Sequence, residues 1–379
     1  AEAITGRNSA PSVSIVEPSP GGSFEAGTAV RFRASGADPD AGDTLTYAWG
    51  FGDGGAGAGA ETAHAYAQPG TYTARVTVTD GAGATASAPV TLGVREPQVV
   101  GVSKLLPVVL DVYGVGGAHF TTEATLVSRA AVASRVLLAY TASAGEGSGW
   151  ASLDLAAGET RILPDVLSFL RAQGLPIPAD GSAQVGTLRV TLVGATNPAD
   201  LFAGGRTSTP GDGGSFGLFY SDAAPSTTSV TVFGLQQNSA MRSNLAVVNG
   251  GAEPVTLRVR LQGALGEDLG TLADAVLPAW GWKQYDRPLE GKAAAGRAVV
   301  TRVSGASPFS AYGVLNDAGT SDGSFVPPLV PGASGAADRM IPVVLSVKGL
   351  GTSRYATEVT LANLGASPLA LTLSYSATA

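Results

Sequence analysis

The sequence predicts an all-β fold, a tandem series of β-sandwiches with one short helix. Apolar residues recur at a spacing of two, as in Leu45, Tyr47, Trp49 and Phe51 and again in Tyr72, Ala74, Val76 and Val78, which is the period of a strand with one face buried. The 52 glycines and 23 prolines fall between such runs, where they read as turns. A pattern of strands also returns along the chain, and 379 residues are enough for three or four domains with their own cores.

The first strands begin after a small, polar opening. Pro11 leads into Val13, Ile15, Phe24, Val30 and Phe32, interrupted by the turn at Pro20-Gly21. Next come Tyr47-Ala48-Trp49-Gly50-Phe51-Gly52-Asp53-Gly54, His64-Ala65-Tyr66, Pro69-Gly70-Thr71-Tyr72 and Val76-Thr77-Val78-Thr79-Asp80. These elements, in this order, resemble the signature of the PKD (polycystic kidney disease) family over about residues 8–95. The resemblance implies an immunoglobulin-like sandwich with Trp49 and Tyr72 between its sheets, and the glycines of the FGDG turn supply the positive φ that a tight turn requires.

The loop Asp38-Pro39-Asp40-Ala41-Gly42-Asp43 gathers three carboxylates that a hard cation could bridge through oxygen, although the spacing is not that of an EF-hand and a solvated Asx turn would use the same residues. Some PKD-like domains bind calcium where the chain entering the first strand meets this loop. Carried over by position, the resemblance implicates Asn8, Asp38, Asp40 and Asp43 as calcium ligands. Asp53 and Asp80 read instead as turn formers whose carboxylates bond nearby amides.

After the polar break at Arg95-Glu96-Pro97-Gln98 a second pattern starts: Leu106–Val112, Thr122–Val127 and Val136–Ala142. It returns as Ile341–Val347, Thr357–Leu361 and Leu369–Tyr375, with a weaker middle copy in Val230–Gly234, Arg242–Asn249 and Val255–Arg260. The first and middle copies both run to a Gly-Ser-Phe turn, at Gly214-Ser215-Phe216 and Gly323-Ser324-Phe325. The expected domains are 1–97, a PKD-like immunoglobulin fold; 98–228 and 229–332, two immunoglobulin-like sandwich repeats; and 333–379, the first-half strands of a third. A half-sandwich leaves an apolar face and unpaired edges, so the expectation is either that the protein continues beyond this sequence or that self-association or another protein supplies the missing strands. The one helix falls in the second domain, with Pro164 in its first turn, Asp165 near the positive end of its dipole, apolar Val166, Leu167 and Leu170, and Gly174 as the stop.

Chemistry is sparsely represented. A formal charge of -7 without a basic cluster disfavours a nucleic-acid partner, and no stretch approaches the length of a membrane span. The absence of cysteine excludes disulfides and thiolate metal sites, and two distant histidines make a poor zinc site. Gly213-Gly214-Ser215-Phe216-Gly217 fits G-x-S-x-G, but strand-like Leu218-Phe219-Tyr220 follows where a hydrolase elbow needs a helix. Trp280 and Trp282 alternate with Gly281 and read as core cover, a contact surface or a sugar-stacking pair. Residues 100–379 also resemble a repeat unit of large secreted bacterial proteins. The expectation is a non-enzymatic, extracellular or cell-surface bacterial protein that works through structural or adhesive contacts, as a filament or surface-layer subunit among other forms. The alternative is a polymer-binding accessory region of a secreted protease or glycoside hydrolase.

Overall fold

The computed structural model describes residues 8–40, 42–97, 99–114, 117–211, 214–223, 225–318 and 323–330, with 346–348, 354–357, 359, 361 and 370–374. Among these residues the regular structure is almost entirely strand, with one α-helix.

The first domain is a sandwich of β1 (Ser12–Glu17), β2 (Ser23–Glu25), β3 (Ala29–Ala37), β4 (Thr46–Gly50), β5 (Ala56–Ala58), β6 (Glu61–Ala65), β7 (Gly70–Thr79) and β8 (Thr85–Arg95). One sheet has the order β1-β3-β6 and the other β2-β8-β7-β4-β5. Alternation puts Val30 and Phe32 of β3, Ala74, Val76 and Val78 of β7, and Val90, Leu92 and Val94 of β8 into one core. Trp49 is buried as expected, with its ring 5.3 Å from that of Phe32 and its Nε1 donating to the Gly59 carbonyl at 3.0 Å. Tyr66 is the fully buried tyrosine, whereas Tyr72 is partly buried and stacks on it at 4.3 Å. Gly52 has φ +88°, and a Cβ there would lie 2.7 Å from the Thr73 carbonyl oxygen, so the FGDG turn admits no other residue at that point.

The next strands are β9 (Gly101–Tyr113), β10 (His119–Ser128), β11 (Ser134–Ala144), β12 (Gly149–Leu155), β13 (Thr160–Leu163), β14 (Gln184–Val193), β15 (Leu201–Gly211) and β16 (Gly214–Ser221), with α1 (Val166–Ala172) between β13 and β14. They form one sheet of order β12-β11-β14-β9-β10-β15-β16, with β13 also on β10. The following strands are β17 (Ser229–Gln236), β18 (Met241–Asn249), β19 (Val255–Gly263), β20 (Asp268–Thr271), β21 (Ala275–Leu277), β22 (Trp282–Asp286), β23 (Ala295–Ser304), β24 (Phe309–Asp317) and β25 (Gly323–Val326). They form two sheets, β17-β23-β19-β20 with β21 on β19, and β22-β18-β24-β25.

The two patterns are the same design. Cutting the eight-stranded sheet between β9 and β10 leaves β9-β14-β11-β12 and β13-β10-β15-β16, the strand-for-strand counterparts of the two later sheets. What joins the first pair is length. The 13-residue β9 overruns β14 and pairs its last residues, Asp111 to Tyr113, with β10, while β17 has eight residues and the matching hairpin closes with a single bridge, Gln237 to Arg242.

By compactness the chain divides into two units. One comprises residues 1–104, 125–182 and 188–202, and the other 105–124, 183–187 and 203–379. Boundaries between them fall within β9, β10, β14 and β15. In the first unit, Trp150 of β12 packs against the core of the first domain, and its amide donates to the Gln68 side chain at 3.2 Å. Arg189 pairs with Glu96 nearby. In α1, Asp165 is the N-cap, accepting from the Ser168 amide at 3.0 Å, so Pro164 lies one residue before the cap rather than inside the first turn. Val166, Leu167 and Leu170 are buried, and Gly174, at φ +92°, follows the helix end.

In the second unit, β18 feeds two cores. Leu245 and Val247 enter the core between the two later sheets with Val232, Leu257, Val259 and Val300. Ala246 and Val248 face the other way, joining Tyr312 in a cluster with Val108, Val185 and Tyr220 of the preceding repeat. Of the third copy, β26 (Ser346–Lys348) and β27 (Arg354–Ala356) pair antiparallel. The half-sandwich expected over 333–379 lies mostly outside the described residues.

Candidate functional site

The acidic loop after β3 and the turn after β7 meet at one edge of the first domain. Carboxylate oxygens of Asp38, Asp43 and Asp80 all come within 4.8 Å of one another. Asp80 arrives because β7 pairs with β4 in the register Thr79 to Thr46, which places the end of β7 beside the start of β4. Its Oδ1 accepts from the amides of Ala82 at 2.9 Å and Ala84 at 2.8 Å, and its Oδ2 accepts from Asn8 Nδ2 at 3.0 Å. Asp80 is thus the turn former the sequence indicated and also a member of the cluster, which the sequence did not indicate.

The four residues singled out from the sequence divide in their roles. Asp38 and Asp43 contribute to the carboxylate group, and Asn8 reaches it through Asp80. Asp40 is not in the group of three: its Oδ2 accepts from the Ser9 amide at 2.6 Å, pinning the entering chain, and its own amide donates to Asp38 Oδ1 at 2.8 Å. The other oxygen of Asp38, Oδ2, is buried without a hydrogen-bond partner. A signal for Asp80 was present in the sequence, since the V-T-D end of β7 sits one residue past a strand that must pair with Trp49, but the separation of more than thirty residues from the acidic loop conceals the contact.

The electrostatics fit a cation. Desolvation, and then the negative charges of Asp38, Asp80 and Asp40, push the Asp43 carboxyl above its usual range. The hydrogen bond from Asn8 and those from the turn amides outweigh desolvation at Asp80 and hold it below the usual range. The charged form is favoured at Asp80 by its hydrogen bonds and disfavoured at Asp43 by burial and its neighbours, and Asp38 presents an orphaned buried oxygen. A divalent ion with oxygen preference would satisfy all three, with Asp38, Asp43 and Asp80 as charged ligands and the Asn8 side chain beside them.

The other polar candidates are engaged structurally. Asp53 Oδ1 accepts from the Gly55 amide at 2.9 Å, and its Oδ2 lies 2.7 Å from His64 Nε2, with the imidazole stacked on Phe51 at 4.2 Å. Ser215 lies within β16, paired with Pro210, and its Oγ accepts from Arg206 Nη2 at 2.9 Å; another strand residue follows, not a helix. Trp282 is half-buried against the shared cluster and its Nε1 donates to the Tyr312 hydroxyl at 2.9 Å. Trp280 precedes the strand at φ 56°, so strand alternation does not relate the two indoles.

Residues 8–94 match the family model for the PKD domain. Among solved structures, the PKD1 domain of Vibrio anguillarum Epp is 30% identical over 24% of this chain and 100% of its own, with a TM-score of 0.21. The PKD1 domain from the Vibrio cholerae metalloprotease PrtV is 26% identical over 22% of this chain and 96% of its own, TM-score 0.19. The Bacteroides ovatus mixed-linkage glucan utilization locus protein SGBP-B, in complex with a mixed-linkage heptasaccharide, is 10% identical over 82% of this chain and 100% of its own, TM-score 0.20. The comparison with curated proteins returned no match. The acidic cluster belongs to the PKD domain, at the edge where Asn8 enters it. No helix among the described residues is long and apolar enough to cross a membrane.

Proposed function

We propose that the chain is an extracellular, non-catalytic array that binds and spaces surfaces, with its PKD domain organised by calcium at Asn8, Asp38, Asp43 and Asp80. The observation that carries this reading is the way successive modules are joined. Trp150 packs into the edge of the PKD core, and in the second unit Val108 and Tyr220 share a buried cluster with Ala246, Val248 and Tyr312. Joints made of buried apolar side chains resist bending, whereas a polar linker would leave modules free to tumble. Fixed joints suit a protein whose task is to hold one surface at a set distance from another. Calcium would add stiffness where the chain enters the PKD domain, because its ligands come from the entering segment, the loop after β3 and the turn after β7.

The test is retention of the fluorescently labelled full chain on intact bacterial envelopes, with the supernatant assayed for released sugars and peptides. Saturable retention without release supports the reading. Absence of saturable retention, or turnover of an envelope polymer, overturns it.

A further inference from the structure

From the outer face of β10, β15 and β16, with the end of β9, we infer a binding platform for an uncharged polysaccharide. This inference rests on the extracellular-binding reading above and deepens it. The register across the sheet places the residues. Asp111 pairs with Thr121 and Tyr113 with His119, while Ser208 pairs with Gly217 and Arg206 with Phe219. Thr122 and Thr207 meet on the inner face, 3.0 Å between hydroxyls, and with β10 and β15 running antiparallel like their counterparts β18 and β24, Thr121 falls beside Ser208. Alternation then turns Tyr113, Asp111, His119, Thr121, Ser208 and Phe219 outward, opposite Leu110, Thr122 and Tyr220.

The face has aromatic rings at two opposite corners and a polar floor between them. Tyr113 is 59% exposed and stacks on the His119 imidazole at 4.3 Å, 7° from parallel. Phe219 is 52% exposed at the far corner. Three strand spacings and four residues of rise put the two corners about 20 Å apart, room for several sugar rings in a row. The floor is kept flat because a Cβ at Gly217 would fall 2.2 Å from the Thr207 carbonyl oxygen, so no side chain can stand there. Sugars present apolar C–H faces to aromatic rings and hydroxyls to short polar side chains, and this face offers both.

Charge selects the class of sugar. Asp111 Oδ1 lies 2.6 Å from His119 Nε2, and Arg206 donates to Ser215. Glu123 of β10 shares this side of the sheet with Arg206 of β15, so the face carries both signs and no block of one sign to attract a polyelectrolyte. A protein module is a poorer fit, and the chain itself shows why. Phe325 sits opposite Val314 on β25 and β24 just as Phe219 sits opposite Arg206 on β16 and β15. In that later repeat the face carries Ala246, Val248, Tyr312 and Val314 and is buried against the preceding repeat. A face meant for module packing is apolar here, and the earlier repeat has a hydroxyl and charged floor in its place.

The experiment is depletion of the full-length chain from solution by particulate cellulose, xylan and mannan, in about 0.5 M NaCl so that loose charge contacts are screened. At least one polymer should remove the protein saturably. Tyr113→Ala and Phe219→Ala should each raise the half-saturating polymer concentration roughly fivefold or more, and Tyr113→Phe, which keeps the ring, should stay within about twofold of the parent. Circular dichroism and melting of each variant establish that it is folded, as expected for exposed positions. Uptake by none of the three polymers, or uptake that both alanine variants leave unchanged, overturns the platform. Envelope retention then still decides the broader reading by itself.

Discussion

Asp43 sits in an unfavourable environment, since it carries a carboxylate beside those of Asp38 and Asp80. If calcium resolves that conflict, chelation should lower the midpoint of the PKD-domain transition in the full chain, measured by calorimetry, and excess calcium should restore it; an unchanged midpoint at saturating chelator would sink the site. Asp43→Asn should raise that midpoint in calcium-free buffer at neutral pH, because a repulsive charge is gone, and should blunt the response to calcium. Asp53 supplies a pH dependence of definite sign. Burial acts to raise its carboxyl, but the hydrogen bonds from His64 and the Gly55 amide and the charge of His64 outweigh it, so the folded value lies below the usual one. A depressed carboxyl contributes stability that is fully present above about pH 4 and is lost as pH falls through the folded value. The PKD transition should therefore weaken below about pH 4, and Asp53→Asn should show the shallower slope in the acid range when melting is followed against pH.

Among elements, α1 shows how local signals survive folding. Asp165 caps it with bonds to the amide and hydroxyl of Ser168, at 3.0 Å and 2.9 Å, and three apolar residues fix its buried side. Asp165→Ala should cost about 1 kcal/mol in denaturant unfolding, as loss of a side-chain cap does, and Asp165→Asn far less. The helix was legible because cap, apolar spacing and glycine stop are local chemistry. The strands of the PKD domain were legible for the same reason, period two with glycine turns. Asp80 was not, because its place in the acidic cluster depends on which strand β7 pairs with, and pairing register is set by the packing of Trp49, Val76 and Val78 across the sheet. Nor did spacing reveal the two-faced use of β18: alternating Leu245, Ala246, Val247 and Val248 reads as a strand buried on both sides without saying what covers the second side.

For the whole molecule, the shared cluster makes the two repeats of the second unit interdependent. Val248 is fully buried there, and aspartate in its place would strand a charge in an apolar joint. Val248→Asp should destabilise the chain by several kcal/mol and split one cooperative transition into two in calorimetry, whereas Val276→Asp, at an exposed position, should leave the trace unchanged. The sequence by itself determined the all-β class, the PKD signature, the recurrence of one strand pattern and the position of the helix, because each is written in residues close along the chain. Only the tertiary structure decided that the overlong β9 joins two sheets into one, that Asp80 completes the acidic group while Asp40 pins Ser9, and that an outward face holds Tyr113 and Phe219 at opposite corners. For the acidic group and the outward face the reason is contact between residues far apart in sequence, and for β9 it is how far the strand runs on to pair with β10; in each case strand register decides, and no single segment contains it.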